Sequence, residues 1–320
     1  MSLNQSTQSF LDRLPQTRGK YRENAELSAM SWFGVGGATD VFFKPEDADD
    51  LAFFLKNCPE DIPITIIGVA SNLLIRDGGI PGVVIRLGRG FTEITHDSNR
   101  NEITAGAAAL DINVAKYALM QSMEGLEFLS GIPGTIGGAI CMNAGAYGRE
   151  IKDCLLYAEA FDRNGNLHRL TPDQLEFTYR HSIAQDQTLF ITKACFRAPK
   201  IASPDIIKAR MDDITKAREL TQPIHTRTGG STFRNPEGHK AWQLIDKVGG
   251  RGYRVGGAHF SDLHCNFIVN DQNASAADIE TLGNTIQKRV LDELGVPLMW
   301  EIKIIGNTLA DDSQSRKDKK

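Results

Sequence analysis

Glycine is concentrated in four knots of this chain: FGVGG (Phe33–Gly37), GVASNLL (Gly68–Leu74), GIPGTIGGAICMNAGAYG (Gly131–Gly148) and TGGSTFRNP (Thr228–Pro236). Small residues let backbone N–H groups come close to a ligand, and successive N–H groups form an anion cradle. The third knot gathers Gly131, Gly134, Gly137, Gly138, Gly145, Gly148 and Asn143 without a fibrous period. One glycine ordinarily marks a turn or bulge; this density predicts a loop wrapped around a phosphate-bearing ligand. The familiar phosphate turns are missing. There is no G-x-x-x-x-G-K-[ST], and Gly34-Val35-Gly36-Gly37 does not complete G-x-G-x-x-G. A second chemical feature is Glu301, which stands inside the apolar run LMWEIKII on the face opposite Trp300 and Ile302. A strand glutamate facing solvent is the ordinary alternative there.

These groups must be positioned by short elements of both kinds. A helix is expected over residues 45–57, β-rich runs at 62–68 and 82–87, and a helix capped by Asp111 and ending at Gly125. Residues 155–170 read as a hairpin turning at Asn164-Gly165. Thr171-Pro172 then reads as an N-cap and first-turn proline opening a short helix. A strand follows at 189–197. Ser203-Pro204 opens a long helix with Ile207, Met211 and Ile214 on one stripe. Ser275 caps another, carrying Ile279, Leu282, Ile286, Val290 and Leu294 and stopped by Gly295 and Pro297. The last strand, 298–305, alternates. Strands and helices do not alternate strictly, so the class is α+β in two parts, with the break between Pro199 and Pro204. The polar start, residues 1–20, reads as flexible, and the charged end, 309–320, as a disordered tail.

Composition bounds the function. Net charge −4 gives no support for nucleic-acid binding. The five cysteines, Cys58, Cys141, Cys154, Cys195 and Cys265, are scattered with no C-x-x-C pair. That argues against a disulfide framework or a metal site and fits a reducing compartment. The opening MSLNQSTQSF has no signal-peptide pattern, and no apolar run is long enough to span a bilayer. A cytoplasmic location is expected.

Five segments in order, GVASNLLIRDGG, GIPGTIGGAICMNAGAYG, TYRHS, GGSTFRNPEGHKAWQLID and PLMWEIKIIG, resemble the UDP-N-acetylenolpyruvoylglucosamine reductase family over residues 30–306. The resemblance implies an FAD-binding domain of the vanillyl-alcohol-oxidase type over 21–200. A smaller α+β substrate-binding domain follows over 201–308. It implies non-covalent FAD, its diphosphate near Gly68, Ser71, Asn72, Leu73, Gly134, Gly137, Gly138, Asn143 and Ala144. It implies NADPH as co-substrate and UDP-N-acetylglucosamine enolpyruvate as substrate, in peptidoglycan precursor synthesis. By motif, Ser231 matches the proton donor, Arg180 the arginine that steadies an enolate-like charge, and Glu301 the third catalytic residue. Tyr179, Asn235 and His264 are candidates for holding the substrate, with Lys240 a weaker one near phosphate. The short spacing from Arg180 to Ser231 matches the branch lacking an extra substrate-covering segment. The chain departs from the family at Ala70, where glycine is frequent; alanine there is expected to require a negative φ. No histidine or cysteine flanks the SNLL loop, which argues against a covalent flavin.

Two other functions suit the same loops. An FAD oxidase or dehydrogenase of the same fold would not need Ser231. A non-catalytic nucleotide-sugar binding protein would be colourless. A sugar-nucleotide transferase is a third option.

Overall fold

The computed structural model describes residues 10–197 and 200–311. Its six α-helices are α1 (Ala48–Asn57), α2 (Asp111–Met120), α3 (Ile136–Cys141), α4 (Pro204–Thr221), α5 (Ala241–Lys247) and α6 (Ala276–Leu294). The chain forms two compact units. The first takes the residues up to Ala25, Thr39–Gly68 and Gly82–Pro204. The second takes Glu26–Ala38, Val69–Pro81 and Asp205 onward. The expected break near residue 200 lies beside the Pro204/Asp205 division. Segments 26–38 and 69–81, which continuous ranges assign to the first domain, lie in the second unit.

The first unit carries two sheets. One is four-stranded, in the order Lys20–Glu26, Ala38–Lys44, Ile80–Arg86, Ile64–Ile67, with the last pair parallel. The other is five-stranded and antiparallel, in the order Leu167–Leu170, Leu155–Phe161, Phe190–Arg197, Glu102–Gly106, Ile94–Asp97. The predicted hairpin forms, with Gly165 at φ +77 in its turn. Phe43, Leu51, Phe54, Leu55, Val83 and Ile85 build the core between helix α1 and the first sheet, with Phe43 and Phe54 rings 4.6 Å apart. Residues 1–9 lie outside the described residues, but residues 10–20 are not the free segment expected. Buried Asp50 accepts from the N–H groups of Arg18 (2.7 Å), Gly19 (2.9 Å) and Glu46 (3.0 Å), and the Tyr21 hydroxyl donates to the Pro15 carbonyl. A buried carboxylate supplied with three donors ties that stretch down.

In the second unit, Thr228–Ser231, Phe267–Asn270, Ala258–Phe260 and Arg254–Val255 form a four-stranded antiparallel sheet. Leu73–Ile75 pairs in parallel with Lys303–Ile305. Helix α4 buries the stripe Ile207, Met211 and Ile214, as its spacing predicts. In α6, Ser275 and Asp278 form a reciprocal capping box and Gly295 ends the helix at φ +71. Its Ile279, Leu282, Ile286 and Val290 pack with Phe233, Leu244, Ile245, Phe260 and Ile268.

Four local expectations are corrected. Leu110 is the N-cap of α2, so Asp111 is its first helical residue and caps nothing; the helix stops at Met120 because Ser122 takes φ +59. Thr171 does engage Gln174, its N–H donating to Oε1 at 2.9 Å, but Glu176 at φ +48 halts the chain after one turn and no helix forms. The final strand keeps its alternation, with Leu298 and Ile302 buried and Met299 exposed. Its regular ladder is confined to Lys303–Ile305. Residues 309–311 form a helical turn held by Thr308, whose hydroxyl donates to Asp311 at 2.7 Å, and residues 312–320 lie outside the described residues. Burial raises the Cys154 thiol to about 12 and pushes those of Cys58, Cys195 and Cys265 up, which makes these free cysteines packing residues.

Candidate active site

In the first unit the long glycine knot lies beside the turn that enters α2. Leu110 bridges Thr135, the Asp111 N–H donates to the Gly134 carbonyl (3.2 Å), and Ile136 and Gly137 donate to Ala109 (3.0 Å) and Ala107 (2.9 Å). A Cβ on Gly68 would stand 2.7 Å from Thr135 Oγ1, so only glycine lets the Gly68 turn close on this knot. Gly138 is exposed, and a Cβ there would find only Thr135 Oγ1 within 4 Å, at 3.8 Å. The run of free N–H groups expected of the knot is not what forms. Gly134 donates to Ile132, Gly137 to Ala107, Asn143 to Ile140 and Ala144 to Ala139. What the glycines supply is a small-residue face around Thr135.

Asn143, singled out from sequence beside the glycines, is fully buried at φ +44. Its Nδ2 donates to the Thr178 carbonyl and to Glu150 Oε2, each at 3.0 Å, and its Oδ1 accepts from the Lys152 N–H at 3.1 Å. The side chain is thus a brace between the knot and the turn Thr178–His181. That turn carries Tyr179 and Arg180, and its ends exchange backbone hydrogen bonds (3.1 and 3.3 Å). Arg180 Nη2 donates to the Gly145 carbonyl at 3.0 Å, and its guanidinium carbon lies 5.1 Å from the Tyr179 ring centre. A Cβ on Gly145 would come within 2.7 Å of the Arg149 carbonyl and 3.2 Å of Arg180 Nη1. Knot and arginine are one construction.

Ser71, Asn72, Leu73, Ser231, Asn235, His264 and Glu301 belong to the second unit, where main-chain pairing draws most of them together. Asn72 Nδ2 donates to the Glu301 carbonyl (3.1 Å), and Lys303 donates to the Asn72 carbonyl (3.0 Å). The Glu301 N–H donates to the Thr232 carbonyl (2.8 Å), and Arg234 donates to Met299 (2.9 Å). On the opposite side, Thr232 donates to Asn266 (2.7 Å), and Ser231 lies in register with Phe267. The segment bearing Ser231 is therefore flanked by the strand of Glu301 and by the strand that His264 precedes. Buried Asn266 fixes this geometry, its Oδ1 accepting from the Phe233 N–H (3.0 Å) and its Nδ2 donating to the Phe233 carbonyl (2.9 Å).

Burial lowers the His264 pKa, favouring the neutral ring. The Asn266 N–H donates to His264 Nδ1 (3.2 Å), and the ring meets Phe267 edge-on at 4.8 Å. With Nδ1 accepting, the proton sits on Nε2 and that atom is a donor. Asn235 is placed differently. Its Oδ1 accepts from the Ala241 N–H (2.9 Å) and so starts α5, which leaves Nδ2 for any ligand. Lys240 is exposed at the N-cap of the same helix.

Ala70 stands at φ +53 and is buried, so the loop keeps the left-handed shape and the alanine bears it, contrary to the expectation of a negative φ. A left-handed alanine costs about 1–2 kcal/mol, offset in part by the lower chain entropy of alanine when unfolded. Ala70→Gly is therefore expected to raise unfolding free energy by about 0.5–1 kcal/mol, read from urea denaturation with flavin content unchanged. A loss of stability would mean that the buried methyl outweighs the strain.

Three structural features carry no direct mark in the sequence: Thr135 at the centre of the glycine face, Asn266 as the clamp on Phe233, and the full burial of Asp111. Thr135 lies inside a chosen motif and Asn266 next to His264, so adjacency was the available signal. Nothing in sequence marks Asp111 as fully buried.

Residues 39–171 match the model of the FAD binding domain family. Residues 222–305 match that of the UDP-N-acetylenolpyruvoylglucosamine reductase C-terminal domain. The chain is 53% identical over 302 residues to a UDP-N-acetylenolpyruvoylglucosamine reductase of Parvibaculum lavamentivorans, covering 94% of this chain and 96% of that one. It is 52% identical over 298 residues to the enzyme of the same name from Orientia tsutsugamushi strain Boryong, covering 92% and 97%. The crystal structure of UDP-N-acetylenolpyruvylglucosamine reductase from Thermus caldophilus superposes with a TM-score of 0.77 at 33% identity, over 91% of this chain and 100% of that one.

Proposed function

Because the chain belongs to the UDP-N-acetylenolpyruvoylglucosamine reductase family, we propose that it reduces UDP-N-acetylglucosamine enolpyruvate to UDP-N-acetylmuramate with NADPH, in peptidoglycan precursor synthesis in the cytoplasm. It is a flavoprotein oxidoreductase with FAD as cofactor. Among the described residues no helix is long and apolar enough to cross a membrane.

The first unit fits a dinucleotide. The face around Thr135 is kept open by Gly68 and Gly138, a cradle that side chains would narrow. Gly68 and the 134–138 knot would hold FAD there, with Ser71 and Asn72 following in sequence. FAD, when bound, supplies hydride transfer from NADPH to the enolpyruvyl double bond. The chain's own residues do the rest. As one carbon of the double bond takes the hydride, negative charge develops beside the substrate carboxylate. The Arg180 guanidinium, permanently protonated and planar, answers that charge. The proton that completes the lactyl ether comes from Ser231 Oγ, a group acidic enough only for a strongly basic acceptor. The Glu301 carboxyl is the third participant, beside the reacting bond. His264 Nε2–H, Asn235 Nδ2 and Tyr179 offer donors to the nucleotide sugar.

The observation that carries this reading is the 2.8 Å bond from Glu301 to Thr232, which ties the glutamate's strand to the residue after Ser231. The test is anaerobic absorbance of the purified protein. Bound oxidised flavin is expected to bleach with NADPH and return rapidly when the enolpyruvyl substrate is added. A yellow protein that bleaches but ignores this substrate, and reoxidises fast in oxygen, would instead be an oxidase of the same fold. A colourless protein that takes up no FAD would remove both.

A further inference from the structure

The strands Thr228–Ser231 and Phe267–Asn270 are antiparallel neighbours in the second unit, but their ladder is not regular. Thr228 stands opposite Val269 and Ser231 opposite Phe267, so three steps along one strand match two along the other. One extra residue is therefore taken up just before Ser231, which makes a β-bulge. Within it Gly230 stands at φ +84.

The bulge decides which way Ser231 points. Side chains alternate along a strand, and cross-strand partners share a face. Val269 and Phe267 are two residues apart and lie on one face. Thr228 and Ser231 share that face with them, as does His259, the partner of Val269 on its other side. Ile268, Phe260 and Ala258 lie on the other face, in the core built on α6. In a ladder without the bulge, residues three apart point to opposite faces, and Ser231 would turn toward that core. Its hydroxyl would then sit among apolar side chains.

The two glycines before Ser231 answer different needs. A Cβ on Gly229 would run into the ring of Phe33, a member of the same core, so packing requires glycine there. A Cβ on Gly230 would meet nothing within 4 Å. No neighbour excludes a side chain at this position; only the positive φ does.

We propose that Gly230 is a positioning residue for the proton transfer: its bulge turns the Ser231 hydroxyl away from the α6 core and toward the reacting carbon. The inference rests on the reading of Ser231 as proton donor.

The test is a double-mutant cycle on the FAD-loaded protein, read by single-turnover reoxidation with the enolpyruvyl substrate and by bleaching with NADPH. Valine and asparagine add similar bulk at position 230, but a β-branched residue is an outlier at positive φ whereas asparagine tolerates it. Gly230→Val is expected to slow reoxidation by about 10²-fold, within the range of a general acid, while bleaching stays within about twofold of the parent. Gly230→Asn is expected to recover reoxidation to within about fivefold of the parent. In the Ser231→Ala background Gly230→Val should slow it by less than about threefold more, because a residue acting through Ser231 has nothing left to position. A valine variant within about threefold of the parent, beside a slow Ser231→Ala, overturns the proposal. So does an asparagine variant as slow as the valine one, or a valine effect of equal size with and without the serine hydroxyl. Reoxidation of Ser231→Ala at the parent's rate would instead remove the proton-donor reading and this inference with it. Should the valine variant fail to fold, as judged by flavin content and melting temperature, Gly230→Ala takes its place in the same cycle with the same deciding outcomes.

Discussion

Ser231→Ala is expected to leave flavin content and bleaching by NADPH unchanged while slowing the substrate-driven return of oxidised flavin by about 10³-fold. The reason lies in where the proton is needed. Bleaching by NADPH is a hydride transfer that requires no acid on the protein. Reduction of the enolpyruvyl group requires a proton delivered to carbon, and general acids contribute about 10²–10⁴-fold to such steps. The strand around Ser231 is fixed by main-chain bonds on both sides, from Glu301 to Thr232 and from Thr232 to Asn266. The loss of one hydroxyl should therefore leave the backbone in place. Stopped-flow absorbance separates the two halves. Equal loss in both would identify Ser231 as a folding or binding residue and remove it as proton donor.

How far the sequence discloses this architecture depends on the range of the interaction involved. Helix α6 is legible end to end, since the Ser275 cap, the apolar stripe and Gly295 are all local signals. Helix α4 is legible for the same reason. The interleaving of the two units is not. Leu73–Ile75 joins the second unit by pairing with Lys303–Ile305, a partner at the far end of the chain whose identity no local pattern announces. The start of α2 shows a subtler failure. Aspartate is as suitable at the first helical position as at the N-cap, so type and spacing could not separate a solvated cap from a buried, unpaired carboxyl. The glycine knot misleads in a third way. Its composition predicts exposed N–H groups, yet several of those groups bond inside the protein and the glycines serve close approach instead. Composition indicates that a backbone comes near something; whether that something is ligand or chain depends on contacts between residues distant in sequence.

Arg180 unites strain with bracing. It stands at φ +59, which costs a residue with a side chain about 1–2 kcal/mol and persists only where the surroundings impose it. The surroundings here are explicit: the Thr178–His181 turn, the Asn143 brace on the Thr178 carbonyl, and the Gly145 carbonyl that accepts from Nη2. A surface arginine kept for solubility would not need this apparatus. Arg180→Gly is accordingly expected to split stability from activity. Relief of the left-handed strain offsets the lost bond to Gly145, so unfolding free energy should change by no more than about 1 kcal/mol. Reoxidation by the enolpyruvyl substrate should fall by about 10²–10³-fold, since one preorganised donor on a developing oxyanion is worth that much. Arg180→Lys keeps the charge but neither the planar fork nor the bond geometry to Gly145, and should recover little of the rate. Urea denaturation and single-turnover reoxidation measure the two quantities on the same samples. A glycine variant that reoxidises at the parent's rate would mean that the strained turn serves the fold alone, whereas full recovery in the lysine variant would reduce the role of Arg180 to a point charge.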